Sequence, residues 1–541
     1  MFNPYSNLFK SGTKLLKGVN EVTQRNIEAV KKLSQITRTS LGPNGMNKMV
    51  INHLGKLFVT HDAATIMQEL EVIHPAAKMV VMASESQEKE VGDATNLVVV
   101  MAGEFLLQAE NLLRMGLHTS DIIEGYEKAS KMAYSILDEL VCNTVKDLKD
   151  QKLVENALRS SIASKQYGYE DLFAPMVAKA CIQVCPKDAT KFNVDNIRVV
   201  KIPGGSVSKS TIQKGFILTR KSAGSIKHLN KAKVAVFGCP LDASSTETKS
   251  TIVLNNAEDL LAYTKSEEQS INKVIKAIAD SGVTLVVTGG TIGDNALHYC
   301  ERYKLMVMKV PSKFDLRRVC RATGARVMVR LGAPTAEEMG YIENIDVKEI
   351  GDTHVTVFTQ AEDQGDVSTI IVRGSSSGIM DDVERAIDDS VNVYKALTKS
   401  SLMLPGAGAT ELELAQRLSK YAGECKGLDQ YAVQKYGTSF EIIPRTLAEN
   451  CGLNATKVIT ALNVAHSKGK NPNAGVAIEA EQPEDAVMDA VEENIFDSYF
   501  AKRRAFELST RVALEVLRVD QIIMARRAGG PKPPKMGSRD A

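Results

Sequence analysis

This 541-residue chain lacks a dominant charge, a long apolar run, clustered metal ligands and paired cysteines. Lysine and arginine total 67 against 65 aspartate and glutamate, so no overall field favours nucleic acid or an anionic membrane. The longest apolar stretch, Leu97 to Leu107, is about half of a membrane crossing and carries Glu104. Met1-Phe2-Asn3-Pro4-Tyr5 shows neither the basic start nor the apolar core of a secretion signal, and a cytoplasmic protein is expected. Eight cysteines are scattered, and only Cys181 and Cys185 lie close together. With no histidine cluster beside them, a zinc knuckle is disfavoured and reduced, mostly buried thiols are expected. No Gly-Lys-Ser/Thr closes a Walker loop and no kinase signature occurs, which argues against a stand-alone ATPase or kinase of those types. The length calls for two to four domains.

What the chain does have is a set of acids and glycines in small-residue turns, each beside a helix. Val91-Gly92-Asp93-Ala94-Thr95-Asn96 opens the apolar run Leu97 to Leu107. The start of a helix presents free backbone N–H groups at the positive end of its dipole, which favours phosphate. A carboxylate there repels phosphate unless a cation lies between, so the pattern suggests a Mg²⁺-nucleotide. Thr39-Ser40-Leu41-Gly42-Pro43-Asn44-Gly45 ends an amphipathic helix carrying Ile27, Val30, Leu33 and Ile36. Gly42 and Gly45 admit close approach of backbone to a ligand, and Pro43 stiffens the turn. Thr60-His61-Asp62-Ala63-Ala64-Thr65 and Pro405-Gly406-Ala407-Gly408-Ala409-Thr410-Glu411 complete the set. Taken singly, each is better served by a capping acid or an ordinary helix stop.

Those four turns, in that order, resemble Leu-Gly-Pro-x-Gly-Met, Asn-Asp-Gly-Ala-Thr, Gly-Asp-Gly-Thr-Thr and Gly-Gly-Gly-Ala-x-Glu of the group II chaperonins, the thermosome and TRiC/CCT family. The likeness spans nearly the whole chain. Met46 to Leu54, His74-Pro75-Ala76-Ala77-Lys78, Arg518 to Ala525 and Gly529-Gly530-Pro531-Lys532-Pro533-Pro534 narrow it to one subunit type of the eukaryotic ring.

Periodicity reads as helical from 20 to about 140, interrupted by strands at 48–52 and 57–60, and helical again from about 408 to 517, with a last strand at 519–523. Between them, strands at 234–237, 283–287 and 305–310 alternate with helices at 257–280, 293–303 and 314–323, as in an α/β unit. The resemblance organises these into a multi-domain α+β and α/β chaperonin fold. It implies a mostly helical, discontinuous equatorial domain (1–140 and 405–528), a small hinged intermediate domain (141–210 and 368–404) and an α/β apical domain (211–367). The apical part would carry a helical lid protrusion at about 245–270, and 529–541 would be a disordered tail.

The same resemblance assigns roles. Asp93 is the Mg²⁺ ligand; Leu41, Gly42, Pro43, Gly92, Ala94, Thr95 and Asn96 surround the phosphates of ATP or ADP. Gly406, Ala407 and Gly408 lie on the ribose side, where Asp497 matches the ribose-contacting acid. Lys165, after Ser164, matches a γ-phosphate sensor. Asp62 would help position water, and Asp389 falls on the catalytic acid of the hinge domain, completing the site on closure; the residues alone do not rank Asp388 against Asp389. Phe314, Leu316, Arg317, Val319 and Arg321 fall on the client-binding helix. Ala63, Ala94, Asn96 and Ala407 depart from the family pattern, and left-handed backbone at Ala94 would cost about 1 kcal/mol or more. The lone hairpin at 48–60 and the terminal strand invite completion by another chain. The implied protein is an ATP-hydrolysing subunit of a hetero-oligomeric double ring of paralogues that folds unfolded clients such as actin and tubulin, with no nucleic-acid or membrane partner. The alternative is a ring subunit that binds nucleotide but hydrolyses it weakly or not at all.

Overall fold

The computed structural model describes residues 14–16, 19–242, 257–351, 353–360, 367–467 and 471–524. The expected tail at 529–541 and the protrusion from 245 to 256 lie outside the described residues, as do the side chains of 257–268. Two compact units partition the chain: 1–143 with 403–541, and 144–402.

The first unit is built from long helices whose apolar faces converge. Thr95–Arg114 is its axis, with Leu97 to Ala102, Phe105, Leu106, Ala109 and Leu112 all buried. This helix is long and apolar enough to cross a membrane, but it is a core helix, 61% buried across its most apolar window. Burial on nearly every side is what a continuous apolar run requires. Phe105 stacks on Tyr436 at 4.4 Å, and Tyr126, Phe440 and Phe506 close an aromatic cluster around them. The phenol of Tyr126 donates to the Phe105 carbonyl and Tyr436 meets the Thr510 hydroxyl, so neither buried hydroxyl is orphaned.

Sheet structure in this unit is sparse. Lys48–Ile51 and Leu57–Thr60 pair antiparallel around a turn in which Asn52 Oδ1 accepts from the Leu54 and Lys56 amides. Met49, Ile51, Leu57 and Val59 remain exposed on this hairpin. The terminal strand, Ile522–Met524, is not alone: it pairs antiparallel with Lys14–Leu16. That partner is three residues long, too short to show a period in sequence.

Among the described residues, the second unit holds two sheets. In the larger, Met306–Lys309, Leu285–Thr288 and His228–Phe237 run parallel, and Gly340–Ile350, Thr353–Thr359 and Phe216–Leu218 continue antiparallel. The parallel strands are buried and read as uninterrupted apolar runs, which made them visible in sequence. In the smaller, Ser368–Gly374 lies between Ile197–Pro203 and Thr211–Lys214. Helices Gln151–Ala163, Glu170–Val184 and Ser377–Lys399 bury Leu158, Phe173, Val177, Ile387 and Tyr394 against it. All eight cysteines are free thiols.

Candidate functional site

In the first unit, turns far apart in sequence are fastened to one another. Asp93 precedes Ala94, the N-cap of Thr95–Arg114, at φ 62 and ψ 25. The Asp93 carboxylate accepts the Ala94 amide at 2.7 Å, and Gln87, wholly buried, donates its amide to the Asp93 carbonyl at 2.9 Å and to the Ala501 carbonyl at 3.2 Å. The turn is therefore pinned from both sides while the first amides of the helix lack intrahelical acceptors.

The Asn96 side chain joins two of the turns. Its side-chain amide donates to the Thr37 carbonyl at 3.2 Å and to the Ser40 hydroxyl at 3.3 Å. It thus ties the Asp93 turn to the Gly42 turn, and its Oδ1 is buried without a hydrogen-bond partner among the described residues. From the other flank, Asn450 donates to the carbonyls of Leu41 at 2.8 Å and Arg38 at 3.4 Å, beside an ion pair of Arg38 with Glu449. Gly42 sits at φ +82, where a Cβ would stand 2.5 Å from Leu447 Cδ2. A Cβ on Gly408 would meet Pro444 Cβ at 2.9 Å. Helix Ile442–Asn450 thereby backs both glycine turns, which is why neither tolerates bulk on that side.

Asp62 is the N-cap of Ala63–Glu69; its Oδ2 accepts from the Thr65 amide at 3.0 Å and hydroxyl at 2.7 Å. Ala63 is the first helical residue and carries no left-handed strain, unlike Ala94 and Ala407, the latter at φ 53. His61 meets Asn47 through Nδ1 at 2.8 Å. Gly406, Ala407 and Gly408 form the turn before Ala409–Glu424, and Val476 donates to the Ala407 carbonyl at 3.0 Å. Asp497, on Phe496–Ser498, pairs with Lys502 at 2.8 Å.

In the second unit, Lys165 and Asp389 form an ion pair between the end of Gln151–Ala163 and Ser377–Lys399, both largely buried. Asp388, one residue earlier, is exposed. The helical step of about 100° between neighbours separates two acids that sequence left equivalent. On Lys313–Thr323, Leu316 and Val319 turn inward to pack with Val234, Met306 and Ile342, so the surface expected of this helix reduces to Phe314, Arg317 and Arg321. Asp315, on the same helix, accepts from Arg198 at 2.7 Å and Arg318 at 3.2 Å.

The donor set fits a Mg²⁺-nucleotide. Among the described residues no three His, Cys, Asp or Glu side chains converge as a metal cage. One carboxylate at a helix start, tied through Asn96 to the part-exposed Gly42 turn, suits a cation completed by phosphate oxygens. Three contributors went unread in sequence: Gln87, Asn450 and Lys502. Each is a polar residue on an otherwise ordinary helix; burial distinguishes Gln87 and Lys502, and its hydrogen bonds to the Leu41 and Arg38 carbonyls distinguish Asn450.

Known proteins resemble this chain along nearly its whole length. The TCP-1/cpn60 chaperonin family profile matches residues 33–527. T-complex protein 1 subunit theta of Dictyostelium discoideum is 50% identical over 536 residues, 99% of each chain. The Homo sapiens theta subunit is 51% identical over 99% of this chain and 97% of its own. That of Arabidopsis thaliana is 50% identical over 98% and 96%. With the profile spanning all four turns and full-length relatives at half identity, the chain belongs to the TCP-1/cpn60 chaperonin family.

Proposed function

We propose that this chain is an ATP-binding and ATP-hydrolysing subunit of a hetero-oligomeric double-ring chaperonin in the cytoplasm, in the position its theta-subunit relatives take, where it helps fold enclosed proteins of the actin and tubulin class. The observation that carries the reading is the fastening of the Asp93 turn to the Gly42 turn through Asn96, with Asn450 holding the far side. Such wiring sets backbone amides and one carboxylate in fixed relation, which is what a phosphate chain with Mg²⁺ needs. Asp93 would hold the ion, which screens phosphate charge; Gly42, Pro43, Gly92 and Thr95 would cradle the phosphates. Asp389 is the proposed acid that orients or deprotonates water, Lys165 holds its carboxylate, and Asp62 assists. Phe314, Arg317 and Arg321 supply a mixed aromatic and basic client surface. The domain reading follows: helical equatorial parts at 1–140 and 405–528, a hinge at 141–210 and 368–404, and a client-binding apical part at 211–367.

A second reading, a nucleotide-holding subunit with little turnover, is favoured by two observations: alanines in left-handed backbone at 94 and 407, and an Asp389 already paired with Lys165. ATP turnover by particles carrying Asp389→Ala in this chain alone separates them. A loss of about one site's share supports hydrolysis here; unchanged turnover in an assay that resolves a single site supports the holding role. Native mass measurement tests the ring itself, since a closed double ring of sixteen such chains is roughly a megadalton, and a lone chain that still turns over ATP would overturn it.

A further inference from the structure

His466 is a buried titratable side chain that the reading above leaves unused. It lies near the end of Ala455–Ser467 and is 4% exposed. Its Nδ1 meets Glu413 Oε2 at 2.8 Å, and its Nε2 meets the Ala474 carbonyl at 2.8 Å. A carbonyl only accepts, and so does an ionised carboxylate. Burial pushes the Glu413 carboxyl up, but His466 and Arg417 outweigh it and hold it below its ordinary range, so it has no proton to give. Both ring nitrogens of His466 therefore donate. With both protons on the ring the charges balance. Arg417 donates from Nε to Glu413 Oε1 at 2.8 Å and from Nη1 to Glu139 Oε2 at 2.8 Å, which makes two cations and two carboxylates. Elsewhere this helix is packed by apolar side chains, with Ala448, Val476 and Ala486 against Val458, Ile459 and Leu462.

Ala474 opens a short strand, Ala474–Val476, that touches a strained turn. Ala407 stands at φ 53, in left-handed backbone that persists only where its surroundings over-determine it. The Val476 amide donates to the Ala407 carbonyl at 3.0 Å. Between Ala474 and Val476 there is no room for a side chain: a Cβ on Gly475 would stand 2.7 Å from Ala407 Cβ and 3.0 Å from its carbonyl oxygen. Gly408 of the same turn abuts Pro444 of Ile442–Asn450, the helix that also backs Gly42. The turn is thus held by a strand and a helix, and the strand is anchored by His466. An apolar side chain of the same bulk would leave the Ala474 carbonyl without this donor. We infer that His466 is a positioning residue: donating from both ring nitrogens, it holds Ala474–Val476 against the strained Ala407 turn and keeps that turn in the shape that takes nucleotide. The inference rests on the nucleotide reading of the proposed function and names the side chain that fixes one of its turns.

The test exploits the two acceptors. In His466→Gln the amide nitrogen can still donate to Ala474, which turns its oxygen onto the Glu413 carboxylate, acceptor against acceptor. Adding Glu413→Gln supplies an amide donor for that oxygen and restores a two-way link without histidine. Hydrogen exchange of the Val476 amide is read by mass spectrometry on the assembled, nucleotide-free particle. It should quicken by about fivefold or more in His466→Gln and return to within about twofold of wild type in the double variant. Photolabelling of this subunit by 8-azido-ATP, resolved by mass, should fall and recover in the same order. Exchange as fast in the double variant as in the single one overturns the inference, as does no change in His466→Gln. A Val476 amide that quickens while labelling holds overturns it too, because the turn then does not serve the nucleotide. Where His466→Gln alone does not assemble, assembly of the double variant supports the inference and failure of both overturns it. A wild-type subunit that never labels refutes nucleotide binding itself, a separate failure that the exchange measurement distinguishes.

Discussion

Replacing Ala94 by glycine should stabilise the turn that carries Asp93. Ala94 is held at φ 62 and ψ 25, where a Cβ crowds the following carbonyl at a cost of about 1–2 kcal/mol. Glycine relieves that strain but enlarges the freedom of the opened chain by about 0.4–1 kcal/mol. The methyl removed is only partly buried, so little packing is lost. The balance is a gain of roughly 1 kcal/mol, or about fivefold in a local opening constant. The Val98 amide, bonded to the Ala94 carbonyl at 3.4 Å, reports on that opening directly. Hydrogen exchange across 94–98 should slow about fivefold in Ala94→Gly and quicken in Ala94→Val, whose branched side chain suits φ > 0 still less. Unchanged or faster exchange in the glycine variant would refute the strain argument.

Four other outcomes follow from particular contacts. Gly42→Ala should loosen 39–47 by about 2–4 kcal/mol through left-handed strain plus the clash with Leu447, and Leu447→Ala should restore only the steric share; limited proteolysis of the segment reads both. Asn450→Leu strips the donors to the Leu41 and Arg38 carbonyls, a loss of about 1–3 kcal/mol, and should weaken photolabelling of this subunit by at least fivefold. Burial raises the Glu413 carboxyl, but His466 and Arg417 outweigh it and hold it below its ordinary 4.5. A lowered folded value means stabilisation present above pH 4.5 and lost as pH falls through that lowered value, so urea midpoints should decline less steeply in this range for Glu413→Gln. Finally, Leu316→Ala should cost about 2–5 kcal/mol as a core deletion. Phe314→Ala, at a side chain 72% exposed, should leave stability within about 0.5 kcal/mol and weaken capture of an unfolded client, measured by aggregation suppression.

Much of the fold was legible because its signals are local. The run Leu97 to Leu107 could only be a buried helix, and the parallel strands at 285–288 and 306–309 advertise themselves by unbroken burial. Strand pairs such as Gly340–Ile350 with Thr353–Thr359 escaped notice, since Glu343, Lys348 and Glu349 dilute their alternation. Lys14–Leu16 escaped because its pairing partner lies at the other end of the chain.

The turns were readable for the same local reason: small residues lie next to a helix end or start within a few residues, in three of the four with a carboxylate. Their roles within the turns were decided by tertiary contact. That Asn96 also ties its turn to Ser40 and Thr37 shows only once they are beside it. Leu316 and Val319 look like a client stripe until the strands beneath them are in place. Asp389 parts from Asp388 only when Lys165 comes to its face of the helix. Lys502, one of many lysines in the sequence, becomes a clamp because folding buries it between Glu411 and Asp497. By itself, then, the sequence determined the turns, the helical axes and the kind of ligand they admit, since these depend on neighbours along the chain. Which side chains are buried, paired or left exposed around those turns was decided by packing, because burial and charge pairing join residues hundreds of positions apart.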